Sequence, residues 1–255
     1  MKNIVILGLG EIGGAVFEEI AQHPRAAGLN LIGYDIDPNK LKPHDHDHQA
    51  NVTYSATIPK ADFYVICVWS TDQIINCINQ IKAISPDALI CIESTIDPTA
   101  IDMLRRDDIV VFPHRFNPND LDHKIFNLDR LIGGHNPKTV TIVKKFLTRF
   151  MKRKLIHEVS LEVAVLAKVA ENAYRAMEII MAQEIKKACD SKGIDFNELR
   201  RAMNTKWNIE MHEARTGVGG KCLPKDLALF NKMFPDFKFG QFCWDCNEEF
   251  KKLYQ

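Results

Sequence analysis

Glycines at positions 8, 10 and 13 constrain this chain more than any other feature of it. Asn3 to Leu7 is a short β-branched apolar run, which predicts a buried parallel strand. Gly8-Leu9-Gly10-Glu11-Ile12-Gly13 follows at once, and Ile12, Val16 and Ile20 then recur on one helical face, with Pro24 beyond the end. A G-x-G-x-x-G turn between strand and helix assigns each glycine a task. Gly8 makes the tight turn, Gly10 lets a pyrophosphate approach the backbone, and Gly13 lets the helix pack on the strand. Glu11 and Ile12 open a helix whose N-terminal amides and positive dipole end suit phosphate. A second apolar run, Leu31 to Tyr34, ends at Asp35. An acid there can bind both ribose hydroxyls and would repel a 2′-phosphate, so the expected cofactor is NAD rather than NADP. A bare glycine turn with a chance aspartate is the competing reading. Strand, helix and terminal acid in register argue against it.

Further apolar runs at Phe63–Val68, Ala88–Ile92, Ile109–Phe112 and Arg130–Ile132 alternate, in the earlier part, with helical patterns such as Asp72–Ile84. The alternation predicts an α/β fold with a Rossmann-type doubly wound parallel sheet. In such sheets ligands bind at the carboxyl ends of the strands. Trp69-Ser70-Thr71, Glu93-Ser94-Thr95 and Pro113-His114-Arg115 are therefore expected to line one cleft, with Trp69, Ser70 and Thr95 on the cofactor. A helix from Pro137 to Met151 would close a cofactor domain of residues 1–155. Residues 156–255 would form a mainly helical substrate and dimerisation domain. Its centrepiece is a long helix from about Leu161 to Lys192, with Ser160 as N-cap and Gly193 as the stop. The Ala, Val and Leu of its first half predict burial on most sides, and a homodimer through residues 160–192 is expected.

Composition excludes several partners. With 33 basic and 33 acidic residues the formal net charge is zero, so nothing points to nucleic acid or an anionic membrane surface. No apolar run approaches the roughly 20 residues that span a bilayer. The start, Met1-Lys2-Asn3, lacks a signal peptide's apolar region, so a cytoplasmic protein is expected. Seven cysteines, an odd number, read as free thiols in a reducing compartment. The single C-x-x-C at Cys243–Cys246 lacks the second ligand pair of a zinc site, so both are expected in the core. His44, His46 and His48, alternating with Asp45 and Asp47, read as a solvated loop, and no metal is expected.

Two segments carry chemistry. Lys168 lies within the apolar run Val163–Ala170, four residues before Asn172 on one helical face. A buried ammonium needs a partner or a purpose, whereas a snorkelling lysine needs neither, and the pattern leaves both open. Gly217-Val218-Gly219-Gly220-Lys221-Cys222-Leu223-Pro224-Lys225-Asp226 combines close-approach glycines with a cysteine and nearby charges. Cations activate a thiol as nucleophile, while the bland alternative is a tight turn with an incidental cysteine.

These motifs resemble the UDP-glucose/GDP-mannose dehydrogenase family over most of the chain. The resemblance rests on Gly8–Gly13, Asp35-Ile36-Asp37, Ser94-Thr95, Leu131–Gly134, Lys168-x-x-x-Asn172, Gly193-Ile194-Asp195 and, most specifically, Gly217–Asp226. It implies NAD-dependent oxidation of a sugar-nucleotide primary alcohol to a carboxylate. Cys222 would add to the intermediate aldehyde, and Lys168 and Asn172 would stabilise the oxyanion. Asp226 would order water or act as a base, and Thr95 would position water. There are departures. His114 stands where the family has a glutamate serving thioester hydrolysis, either as a base at neutral pH or as a loss of that step. Val165 replaces another glutamate, Asn208 aligns with an expected arginine, and Lys221 replaces a small residue. Only roughly thirty residues follow Asp226, too few for the family's C-terminal nucleotide-sugar-binding domain, so a shortened form is expected. Two alternatives stay open: a two-domain β-hydroxyacid-type dehydrogenase transferring one hydride, and a non-catalytic NAD-binding relative.

Overall fold

The structure is a computed structural model that describes residues 1–41, 49–117, 120 and 122–254. The alternating His/Asp segment, with His44, His46 and His48, lies outside the described residues. The chain divides into two compact units, residues 1–168 and 169–255.

The first unit is built on an eight-stranded sheet. In chain order the strands are β1 (Asn3–Leu7), β2 (Asn30–Tyr34), β3 (Asn51–Ser55), β4 (Phe63–Ile66), β5 (Leu89–Ile92), β6 (Ile109–Val111), β7 (Arg130–Gly134) and β8 (Ile156–Glu158). They lie in the order β3-β2-β1-β4-β5-β6-β7-β8. The order reverses beside β1, as in a doubly wound sheet. Alternate residues of β1 feed two cores. Ile4 and Ile6 face one with Val16, Phe17 and Ile20 of α1 (Glu11–Gln22) and Val140, Val143 and Phe146 of α3 (Pro137–Leu147). Val5 and Leu7 face the other with Ile74, Ile78 and Ile81 of α2 (Thr71–Ile84).

Three features depart from the expected pattern. β6 and β7 pair antiparallel, whereas every other pair in the sheet is parallel. No crossover helix lies among the described residues between them, and a parallel return needs one. Strands β3 and β8 are not among the expected ones: Asn51-Val52-Thr53-Tyr54-Ser55 alternates but is a short, half-exposed edge, and β8 is three residues long. Helix α3 ends at Leu147 and the chain then turns, with the Phe150 and Met151 amides donating to the Leu147 carbonyl.

The long helix α4 spans Leu161–Asp190. The Ser160 hydroxyl accepts from the Val163 amide at 3.2 Å, as an N-cap does. Past its end, Gly193 takes a left-handed φ of 67° and the Ile194 amide returns to the Cys189 carbonyl. The boundary between units falls inside this helix rather than before it, because Leu161, Ala164 and Val165 pack into the second core of the sheet. Gly133 admits them: a Cβ there would lie 2.6 Å from the Ser160 carbonyl oxygen. The first half of the helix, expected to be buried on most sides, is mostly buried or half-buried. One stripe, including Ala164, Val165, Val169, Asn172, Ala173 and Ala176, is buried, while Val163, Tyr174 and Met181 are exposed.

The second unit is helical. With the rest of α4 it holds α5 (Phe196–Met203), α6 (Cys222–Met233) and α7 (Lys238–Tyr254). Ala173, Ala176, Ile180, Val218, Leu227, Cys243 and Cys246 form one core, and Ala182, Cys189, Phe196, Ala214 and Phe250 another. Among the described residues, no helix is long and apolar enough to cross a membrane. Gly133→Ala should destabilise the protein by about 1–3 kcal/mol in urea unfolding, because the added carbon has no room. Unchanged stability would contradict this packing.

Candidate active site

The glycine turn is shaped by two backbone approaches. Gly8 has φ 86°, and a Cβ there would lie 2.5 Å from the Cys67 carbonyl oxygen. A Cβ on Gly13 would lie 1.8 Å from the Gly8 carbonyl oxygen, so α1 packs directly on the turn. A Cβ on Gly10 would meet nothing within 4 Å, and no side chain caps α1. Its first-turn amides and the room above Gly10 suit a pyrophosphate. Glu11 is exposed and Ile12 half-buried. Asp35 does more than wait for a ribose: its Oδ2 accepts from the Leu9 amide at 2.7 Å and its Oδ1 from the Asp37 amide at 2.9 Å. The acid at the end of β2 thus ties down the glycine turn after β1. These residues fit a dinucleotide.

The other predicted cleft segments follow the carboxyl ends of β4, β5 and β6. Ser70 caps α2 in a capping box: its hydroxyl accepts from the Gln73 amide, and Gln73 Oε1 accepts from the Ser70 and Trp69 amides. The Trp69 ring is exposed. The Ser94 hydroxyl donates to the Val68 carbonyl at 2.7 Å, beside a half-buried Thr95.

Glu93 and His114 of these segments meet a third residue, Arg130, that sequence reasoning missed. Arg130 is fully buried, its Nη2 lying 2.8 Å from Glu93 Oε2 and donating to the Phe112 carbonyl. Its guanidinium stacks 3.6 Å above the Phe112 ring. Burial pushes the Glu93 carboxyl up, against the Arg130 charge. His114 is buried beside them, with Nε2 3.8 Å from Glu93 Oε2. Its Nδ1 accepts from the Phe116 amide at 2.9 Å, so the neutral ring carries its proton on Nε2. Burial, then the Arg130 and Lys168 charges, hold His114 well below the usual histidine range. Protonation of His114 would set a cation beside Arg130 and break the Phe116 bond, so these surroundings count against the ring as a proton acceptor. The only sequence signal for the cluster is a polar residue in each of two otherwise apolar strand segments.

In the second unit, Asn172 on α4 donates from Nδ2 to Asp226 Oδ2 on α6 at 2.6 Å, both residues being buried. Lys225 Nζ lies 3.5 Å from Asp226 Oδ1. Cys222 opens α6 and is exposed, as is Lys221 before it. Lys168, the last residue of the first unit, is half-buried. Val165 belongs to the core of that unit, and Asn208 is exposed. Cys243 and Cys246 are buried on α7, where burial pushes the Cys243 thiol up to about 11. Among the described residues no group of three or more His, Cys, Asp or Glu side chains could hold a metal.

Residues 162–249 match the UDP-glucose/GDP-mannose dehydrogenase family, central domain. The chain is 26% identical over 285 residues to a UDP-N-acetyl-D-mannosamine dehydrogenase of Methanococcus vannielii, covering 98% of this chain and 66% of that protein. It thus spans less than two thirds of that relative's length. The structure of a UDP-D-ManNAc dehydrogenase from Pyrococcus horikoshii superposes with a TM-score of 0.83 at 24% identity, covering 97% of this chain and 68% of that one. A Mycobacterium tuberculosis 3-hydroxyisobutyrate dehydrogenase superposes with a TM-score of 0.72 at 17% identity, covering 100% and 95%. The two structural likenesses establish the fold.

His114 should be neutral at pH 6, where an ordinary histidine is mostly charged. Its folded-state pKa is depressed, so its contribution to stability is lost as pH falls below the unfolded value of about 6.5. Ring nitrogen chemical shifts should show an Nε2–H tautomer at pH 6, and a midpoint near 6.5 would contradict the buried geometry.

Proposed function

We propose that the chain, whose residues 162–249 match the central domain of the UDP-glucose/GDP-mannose dehydrogenase family, belongs to that family and is an NAD-dependent dehydrogenase oxidising a sugar-nucleotide primary alcohol to a carboxylate. The names of its relatives favour a UDP-N-acetylhexosamine as the substrate. The observation that carries this reading is the buried 2.6 Å Asn172–Asp226 pair, whose helix α6 also opens with Cys222.

The Gly8–Gly13 turn, the start of α1 and Asp35 would hold NAD, which would supply the hydride acceptor for two successive oxidations. The protein's own groups do the rest. Cys222 gives up its thiol proton to solvent as Sγ forms a C–S bond to the carbonyl carbon of the intermediate aldehyde, and the carbonyl electron pair moves onto oxygen. The Lys168 ammonium and the Asn172 carboxamide stabilise that oxyanion. Asp226 orients the Asn172 carboxamide through their hydrogen bond. After the second oxidation the adduct is a thioester. Water then attacks its carbonyl, the C–S bond breaks, and the thiol returns with release of the carboxylate. Asp226 orders water or assists as a base, and Thr95 is a positioner of water in the cofactor cleft. His114, held neutral, takes no proton in this scheme.

In this reading the sheet unit is the cofactor domain and the helical unit the substrate and dimerisation domain. The exposed Val163, Tyr174 and Met181 of α4 suit a homodimer contact. We place the protein in the cytoplasm, consistent with seven free cysteines.

Purified protein with NAD and UDP-N-acetylmannosamine should yield about two NADH per sugar, with carboxylate product. Cys222→Ala should abolish the carboxylate while leaving NAD binding intact. One NADH per substrate with a fully active Cys222→Ala would establish single-hydride chemistry instead. Intact NAD binding with no NADH from any sugar nucleotide would overturn the dehydrogenase reading.

A further inference from the structure

Cys222 is exposed and no side chain caps the helix it opens, so the loop that leads into it helps to set its position. That loop is rich in glycine. Gly217 and Gly220 take positive φ of 118° and 75°, and Cβ atoms on Gly219 or Gly220 would meet nothing within 4 Å. Glycine backbones without side-chain contacts are the most costly to order. Between these glycines a single residue, Val218, is anchored, and it is anchored twice. Its side chain is buried in the core with Ala173, Ala176, Leu227, Cys243 and Cys246. Its backbone is gripped by Asn247 of α7, a fully buried residue.

The Asn247 side chain acts as a surrogate peptide group. Its Oδ1 accepts from the Val218 amide at 2.7 Å, and its Nδ2 donates to the Val218 carbonyl at 3.4 Å. One carboxamide bonded to both backbone groups of one residue fixes the rotation of the loop at that point. The same face of α7 extends the bed. A Cβ on Gly217 would lie 2.6 Å from Lys251 Cγ. Lys251 Nζ is held by Glu248 Oε1 at 3.0 Å and lies over the Trp244 ring. Trp244, Asn247, Glu248 and Lys251 follow the three- and four-residue spacing of one helical face.

We propose that Asn247 is a positioning residue for the Cys222 nucleophile, acting through the Val218 backbone. This rests on the reading of Cys222 given above. The effect belongs to the covalent step: a displaced nucleophile lowers turnover, whereas the dinucleotide groups lie in the other unit and are left unaltered. Misplacement by about 1 Å can slow a reaction roughly 100-fold.

Two measurements test this. In the unaltered protein, hydrogen exchange followed by NMR should find the Val218 amide protected and the Gly219 and Gly220 amides exchanging fast. A Val218 amide that exchanges as fast as those glycines would overturn the proposal. In the variant Asn247→Ala, kcat should fall about 10- to 100-fold with KM for NAD unchanged within about twofold. Asn247→Asp, which keeps the acceptor for the Val218 amide, should recover part of that loss. An Asn247→Ala enzyme that folds and turns over at the normal rate would also overturn the proposal, as would equal losses in the Asp and Ala variants. Failure of the enzyme reading looks different: the unaltered protein then forms no NADH, and the exchange measurement alone decides the role of Asn247.

Discussion

Helix α1 meets the turn that follows strand β1 at backbone contact distance, and only because residue 13 has no side chain. The same closeness points the first amides of α1 past the turn at Gly8. Asp35 then fixes the turn from the neighbouring strand by accepting the Leu9 amide. A phosphate site of this kind needs backbone donors at a set place more than it needs particular side chains. The order of the sheet follows from the same point, since strands β2 and β4 flank β1 and the chain winds outward on both sides.

The polar interior shows how each unit manages buried charge. In the sheet unit, Glu93 and Arg130 form a buried pair, and their neighbour His114 stays neutral. A buried ion pair contributes little net stability, but removing one partner would leave a costly uncompensated charge. In the helical unit, Asn172 and Asp226 pair across two helices, and Asn247 serves the backbone of Val218. Each arrangement fixes the direction of a group that the sequence shows only as a letter.

Legibility followed the range of the interactions. The glycine turn, the β1, β4, β5 and β6 runs and the caps of α4 are local patterns, and they stood out in the sequence. Strands β3 and β8 did not: the alternation of Val52 and Tyr54 is only two apolar residues long on a half-exposed edge, and a three-residue pairing carries no period. The boundary inside α4 depends on Gly133 admitting Ala164, a contact between residues far apart in the chain. Cys222, Asn172 and Asp226 could be singled out from their motifs, and Asn172 and Asp226 do meet. Nothing local marked Asn247, whose partner lies 29 residues away. Nor could the sequence set the state of His114, which depends on Arg130 and on the Phe116 amide.

The central claim is that Cys222 forms a covalent bond with the oxidised substrate. Mass spectrometry of the protein, quenched in acid during turnover with NAD and UDP-N-acetylmannosamine, tests it most directly. The account predicts a sugar-nucleotide acyl adduct on the peptide that contains Cys222, lost on treatment with hydroxylamine. Carboxylate formed at the normal rate with no adduct on Cys222, or with an adduct on another residue, would contradict it.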